Sequence, residues 1–367
     1  MGGDCFGRLF TLTTFGESHG SGLGGIVQGC PAGLGVSEEA IQEELDKRRP
    51  GQGGASTMRK EKDRINILSG VFEGRTTGTA IGFYIQNEDK KSQDYSKIKD
   101  IYRPGHGDFT YQAKYGLRDY RGGGRSSGRE TVSRVAGGAI AGILLRSMGI
   151  EAAAFTLEMG GIAAKEIELN GIAERPYFAA CDAVVSAWDK RIREVKKQGD
   201  SIGGVVEVRV SGVPAGLGEP VMNKLDARLA YALMGIGAVK GVEIGSGFAS
   251  ARSLGSQNND EIAAEGFSSN NAGGILAGIS SGQELVVRAA VKPIPSISRE
   301  QTTIDAQGGV RKINIGGRHD ICAIPRIVPV IKAMVLLTLA DMSLLHDSRK
   351  NFRSCDEGNG FFSASST

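Results

Sequence analysis

Glycine punctuates this chain more than any other residue: 55 of 367 positions are glycine, about 15% where roughly 7% is usual. The glycines form no low-complexity tract but stand among ordinary apolar and charged residues, so many tight turns and close backbone approaches are implied. A chain of this kind is expected to be rich in short strands. Apolar or alternating runs predict strands over residues 9–15, 65–72, 80–86, 204–210, 242–244, 285–291 and 311–315.

Three long helices are predicted between the strands. Ser37 caps the first, over 38–49, with acids in its first turn, Lys47, Arg48 and Arg49 in its last, and Pro50-Gly51 as its stop. The second runs over 129–148 on the spacing of Val132, Val135, Ala136, Ala139, Ile140, Ile143 and Leu144, and stops at Gly149. The third, 325–346, is apolar on almost every side, as for a helix buried between layers. On it Asp341 shares a stripe with Ile331, Met334, Thr338 and Leu345, a costly place for a carboxylate that is neither paired nor functional. The plainer alternative is an aspartate near a helix end that reaches solvent or bonds locally.

With 40% hydrophobic and 23% charged residues the chain is globular, and a net charge of +3 excludes a general polycation. Five cysteines without a CxxC pair argue against a disulfide framework or a structural zinc site and for a reducing compartment. MGGDCFGRLF lacks the basic and apolar regions of a leader, and the apolar segment 324–345 is interrupted by Arg326, Pro329, Lys332 and Asp341. A cytoplasmic protein without membrane or nucleic-acid partners is expected.

Charge is nevertheless concentrated locally. Residues 102–135, YRPGHGDFTYQAKYGLRDYRGGGRSSGRETVSRV, carry Arg103, Arg118, Arg121, Arg125, Arg129 and Arg134 around a glycine run and His106. Arginine forks pair bidentately with carboxylate and phosphate, and glycines let backbone N–H groups reach the same oxygens, so the segment reads as a holder of a multiply charged anion. GGGRSSG feeds the second helix, where Ser126 or Ser127 is the predicted cap and the free N–H groups add to the anion site. His19 in FGESHG and His106 in RPGHG sit in glycine-punctuated loops and are candidates for moving protons. His319 in GRHD is a third candidate, and His346 is expected to have no role. No P-loop, dinucleotide fingerprint, GxSxG elbow, HExxH or paired-cysteine metal site is present.

FGESHG, RPGHGDFTYQAKYGLRDYRGGGRSSGRE, SGVPAGLGEPV, GVEIGSGF, NAGGILAGISSG, VKPIPSI and GRHD occur in the order and spacing of chorismate synthases, and the chain resembles that family from about residue 6 to 346. The resemblance implies an α+β fold in which long helices lie between two antiparallel sheets in a layered β-α-β sandwich, and a homotetramer. It implies a lyase of the shikimate pathway that removes phosphate from C3 and a proton from C6 of 5-enolpyruvylshikimate 3-phosphate, a 1,4-anti elimination giving chorismate, with reduced FMN. By their places in the family motifs, His19 would be the proton donor to the phosphate. His106 would bond the flavin near N1, and Asp341 would act with its N5 on the C6 proton. Arg48, Arg103 and Arg129 would hold substrate. Flavin contacts would come from Arg125, Ser126, Ser127, Gly237, Ala238, Ala277, Lys292, Pro293, Ile294, Pro295, Ser296 and Arg318, with no metal.

Residues so dispersed converge only in one integrated domain, expected over 1–346, with 347–367 as a flexible tail. The chain departs from the family at Gly54, where a basic residue is common, at Gly128 for alanine and at Ile321 for proline, departures expected to spare activity. No nicotinamide fingerprint is visible, so a monofunctional enzyme supplied by a separate flavin reductase is favoured over one that reduces its own FMN with NADPH. Two other classes use similar residues. An RNA-binding module would stack bases on Tyr102, Tyr111, Tyr115 and Tyr120 but would be more basic overall, and a phosphohydrolase would need a metal cluster or nucleophile.

Overall fold

A computed structural model of the chain describes residues 3–49, 62–88, 99–315 and 320–350. The fold is α+β. Two five-stranded antiparallel sheets carry most of the strands. In the first, Cys5–Phe6, Thr11–Gly16, Gly22–Gln28, Ile81–Gln86 and Ile65–Ile67 lie side by side in that order. In the second the order is Val239–Ile244, Leu285–Val291, Gly204–Ser211, Glu151–Met159 and Ile162–Ala163.

The central strand of the first sheet, GLGGIVQ, has no alternating pattern and was not predicted. Its glycines make room for aromatic rings instead: a Cβ on Gly24 would lie 2.4 Å from the Phe15 ring, and one on Gly25 would lie 2.5 Å from the Phe83 ring. The alanine-rich strand Glu151–Met159 and the helices Val185–Lys197 and Leu225–Met234 were likewise not foreseen. The predicted strand 65–72 is two strands. Ile65–Ile67 joins the first sheet, whereas Val71–Phe72 pairs with Arg75–Thr76 in a separate ribbon. Gly70 divides them at φ +80°, where a side chain would meet the Ala80 carbonyl at 2.6 Å.

The helix Glu38–Arg48 begins as expected, with the Ser37 side chain accepting the Ala40 N–H at 3.2 Å. The helices Thr131–Ser147 and Ile324–Lys350 cross closely, because Gly138 faces Ala333: an added Cβ would stand 2.4 Å from the Ala333 Cβ. On its other side the Thr131–Ser147 helix meets the first sheet, Gly137 against Leu12, while Ile324–Lys350 also packs on strands Glu151–Met159 and Gly204–Ser211. Val206, Val208, Val210, Leu285, Val287, Ala289 and Ala154 supply the buried side of the second sheet. Ile324–Lys350 runs past His346 and is long and apolar enough to cross a membrane, but it is almost wholly buried in the core.

Candidate active site

Arg48 enters from the end of its helix, Arg129 from the 3-10 turn Gly128–Glu130, and Asp63 lies between them. Asp63 is 1% exposed; one of its oxygens accepts from Arg48 Nη1 at 3.2 Å and the other from Arg129 Nη1. Arg48 also donates from Nε to Thr131 Oγ1 at 3.0 Å and from Nη2 to the Gly128 carbonyl at 2.9 Å. Burial is the largest influence on Asp63 and would raise its pKa, but Arg48 and Arg129 outweigh it and hold the carboxyl below its usual range. Burial, followed by the charge of Arg326, pulls Arg48 down to about 9. Two guanidiniums against one carboxylate leave this buried cluster positive. The backbone of Asp63 is held at φ +48°, a strained value for a residue with a side chain.

Arg103 forms a second fork, giving Asp108 two bonds of 2.8 and 2.9 Å, with Arg118 adding a third contact at 3.3 Å. Burial would raise the Asp108 pKa, but Arg103 and Arg118 hold it low. The other arginines of the segment are paired as well: Arg121 with Asp119, Arg125 with Asp4, and Arg134 with Glu130. The arginines of the anion-holding segment are thus held in a set of ion pairs. Three of the carboxylate partners, Asp108, Asp119 and Glu130, lie within the same segment, which is why its charge stays local.

The FGESHG loop is folded beneath the glycine run. A Cβ on Gly122 would lie 2.3 Å from His19 Cε1 and 2.6 Å from Nδ1, and Gly122, Gly123 and Gly124 stand at φ +79°, +87° and +53°. Only glycine passes so close to the imidazole in that conformation. The buried Asn87 side chain fastens the same loop, donating to the carbonyls of Glu17, Ser18 and Gly20 at 2.9, 3.2 and 3.1 Å.

His106 is oriented from both sides, by the Pro104 carbonyl 3.0 Å from Nδ1 and by Ser296 Oγ 2.9 Å from Nε2. In the neutral ring the carbonyl requires Nδ1–H, which leaves Nε2 to accept from the Ser296 hydroxyl. Lys292 Nζ donates to the Gly105 carbonyl at 3.1 Å, and a Cβ on Gly105 would lie 2.7 Å from Pro295. Lys292 N–H reaches the Ala238 carbonyl at 2.9 Å, and Gly107 borders Ser126. The loops 103–107, 123–127, 237–238 and 292–296, far apart in sequence, thus meet. Ser126 Oγ donates to the Gly123 carbonyl, and Ser127 caps the 3-10 turn rather than the helix, which starts at Thr131 with no side-chain cap. Ala238 and Ala277 both have positive φ, +75° and +52°. Ala277 forms with Gly278 the tip of the Ile275–Ser280 hairpin, and among the described residues no hydrogen bond ties it to those loops. Arg318, His319 and Gly54 lie outside the described residues.

Asp341 is neither solvent-facing nor locally bonded. It is 1% exposed, and its Oδ1 accepts the backbone N–H groups of Arg8, Leu9 and Phe10 at 2.9, 2.7 and 3.1 Å. That arrangement anchors the N-terminal turn to the C-terminal helix. Asp320, which the sequence reading passed over, pairs at 2.8 Å with Arg326, whose charge is felt by both Arg48 and Asp63. Asp63 and Asn87 were also missed, since nothing in their sequence neighbourhood marks them. Asp108 had a signal, two residues after His106 in RPGHGD.

The chorismate synthase family model matches residues 10–344. This chain belongs to the chorismate synthase family. The chorismate synthase of Maridesulfovibrio salexigens is 64% identical over 94% of this chain and 99% of its own length, and that of Oleidesulfovibrio alaskensis 63% identical over 94% and 98%. A crystal structure of chorismate synthase superposes with a TM-score of 0.74 at 33% identity, covering 93% of both chains. The family's activity, formation of chorismate, is the activity of this chain, and neither an RNA-binding module nor a phosphohydrolase is supported.

Proposed function

We propose that Arg48, Arg103 and Arg129 bind the carboxylates and phosphate of 5-enolpyruvylshikimate 3-phosphate and that the chain eliminates its phosphate, with the C6 proton, to give chorismate. One convergence carries the residue-level reading: His19 lies under the glycine run that leads into Arg129, and Arg129 shares Asp63 with Arg48, so a proton donor and an excess of positive charge are brought together. In this reading the guanidiniums, fixed beforehand by Asp63 and Asp108, stabilise charge as it grows on the departing phosphate, and His19 protonates it. Preorganisation of this kind spares the cost of ordering long side chains during the reaction.

Reduced FMN is the cofactor in this reading, and when bound it lends electron density to the breaking C–O bond and regains it, leaving no net oxidation. The converged loops suit such a group. Lys292 has no carboxylate partner among the described residues, Gly105 keeps the backbone close to Pro295 where a Cβ would crowd it, and Ala238 is held at a positive φ that strains a residue with a side chain. Ser126, Ser127, Gly237, Ala238 and Lys292–Ser296 would hold the flavin, with Arg125, Ala277 and Arg318 from neighbouring segments. His106, oriented by Pro104 and Ser296, would present a fixed tautomer to it. For the C6 proton the geometry favours Asp320, beside the arginine cluster, over Asp341, whose Oδ1 is committed to three N–H groups. The same helix and sheet contacts support a layered β-α-β arrangement. A homotetramer, a cytoplasmic setting and a separate flavin reductase complete the reading.

The test is anaerobic turnover of 5-enolpyruvylshikimate 3-phosphate with chemically reduced FMN, following chorismate and phosphate together. Equal release of both only with reduced flavin is expected. Phosphate release with oxidised FMN or none would overturn the flavin-dependent reading, and added NADPH decides whether the chain reduces its own flavin.

A further inference from the structure

We infer that Asn87 is a positioning residue that couples the substrate arginine Arg129 to the His19 loop. The inference rests on the proposed roles of those two residues. Asn87 follows the strand Ile81–Gln86 and is 2% exposed. Its Oδ1 accepts from Arg129 Nε at 3.1 Å, and its Nδ2 donates to the carbonyls of Glu17, Ser18 and Gly20 at 2.9, 3.2 and 3.1 Å. Its backbone N–H reaches the Ser21 carbonyl at 3.1 Å. The amide orientation is forced, because a guanidinium only donates and a carbonyl only accepts. One side chain thus spans the whole turn that carries His19 and, among the described residues, forms its remaining hydrogen bond with Arg129.

The other bonds of Arg129 and Asn87 make the link stiff. Arg129 is held by Asp63, which is held in turn by Arg48, so a phosphate or carboxylate that pulls on either arginine moves Arg129 Nε against Asn87. On the far side His19 cannot shift toward Gly122, which already lies within van der Waals reach of its ring. Displacement at Arg129 is therefore passed to the four-residue loop Glu17–Gly20 and not absorbed by a free side chain. Anion binding and placement of the proton donor become one event. A buried asparagine that merely satisfied loop carbonyls would not need a guanidinium as its acceptor-side partner.

Two substitutions separate the two ends of the link. Asn87→Asp keeps an oxygen for Arg129 but turns an oxygen without a proton toward three carbonyls, releasing the His19 loop alone. Asn87→Ala releases both ends. With reduced FMN supplied, Asn87→Asp is expected to lower kcat about 10- to 100-fold with KM for substrate nearly unchanged, whereas Asn87→Ala lowers kcat and raises KM. The second readout needs neither flavin nor turnover: with only four histidines in the chain, the His19 Cε1–H proton signal is followed as inorganic phosphate is added. Phosphate is expected to move that signal in the unsubstituted protein and to leave it still in folded Asn87→Asp. Equal responses in the two proteins, or kcat and KM changing by one common factor in both variants, would overturn the coupling. Should neither Asn87 variant fold, Arg129→Lys decides, since a His19 signal that still follows phosphate there rules the link out. Failure of turnover in the unsubstituted protein would count against the proposed function and leave the phosphate titration readable.

Discussion

Replacing Asp341 separates an anchor from a base. Its Oδ1 receives three N–H groups from residues 8–10, and hydrogen bonds to a charged acceptor are worth about 1.5–3 kcal/mol each. Arg8 and Leu9 are exposed, so their amides regain water when the carboxylate is removed, whereas Phe10 is fully buried and its N–H would be orphaned. Allowing about 1–3 kcal/mol for that group and a fraction of it for the other two, Asp341→Ala is expected to cost about 2–5 kcal/mol, with a fall in Tm of roughly 3–6 °C for a chain of this length. Asp341→Asn keeps an oxygen in place and loses only the charge, so it should cost about 1 kcal/mol and retain turnover within a fewfold. The assay is a thermal melt of each variant beside anaerobic turnover, with Asp320→Asn as the counterpart. A well-folded Asp341→Asn chain that loses turnover a hundredfold while Asp320→Asn stays active would refute the anchoring argument and return Asp341 to the chemistry.

Gly122→Ala should fold yet lose most turnover, because its Cβ would displace the His19 ring from 2.3 Å away; normal turnover in stopped assays would detach His19 from the reaction. Gly128→Ala is the matched control, since an added Cβ there meets nothing within 4 Å, and both its melt and its rate should stay near those of the parent. Stability should also fall in acid. The folded pKa values of Asp63 and Asp108 are depressed, so the stability they add is present above about pH 4 and is lost as pH falls through their lower folded values. Tm recorded from pH 7 to pH 3 should drop less steeply for Asp63→Asn, which starts lower because two buried guanidiniums lose their counter-charge; parallel curves would contradict this.

Local chemistry made several features legible. Ser37 capping, the Arg48 end of the first helix and the strands 80–86, 204–210 and 285–291 depend on neighbours within a few residues, and they emerged close to their predicted bounds. The strand Gly22–Gln28 was invisible because its glycines serve rings from other strands, and a run such as 65–72 looked continuous because Gly70 acts through a contact with Ala80. The carboxylate partner of Arg129 was invisible for the same reason: Asp63 is 66 residues away in sequence.

The order and spacing of the motifs, by themselves, determined which family this chain belongs to, that His19 and His106 sit in glycine-bounded loops, and that Arg48 closes a helix. Only the tertiary structure decided how those groups are held. It set Asp63 between two arginines, strung Asn87 from Arg129 to the His19 loop, and tied Asp341 to the N-terminal turn. Capping and turn preferences are short-ranged and written residue by residue, whereas the partner of a buried charge is chosen by whichever polar atom the packed chain brings within hydrogen-bond reach.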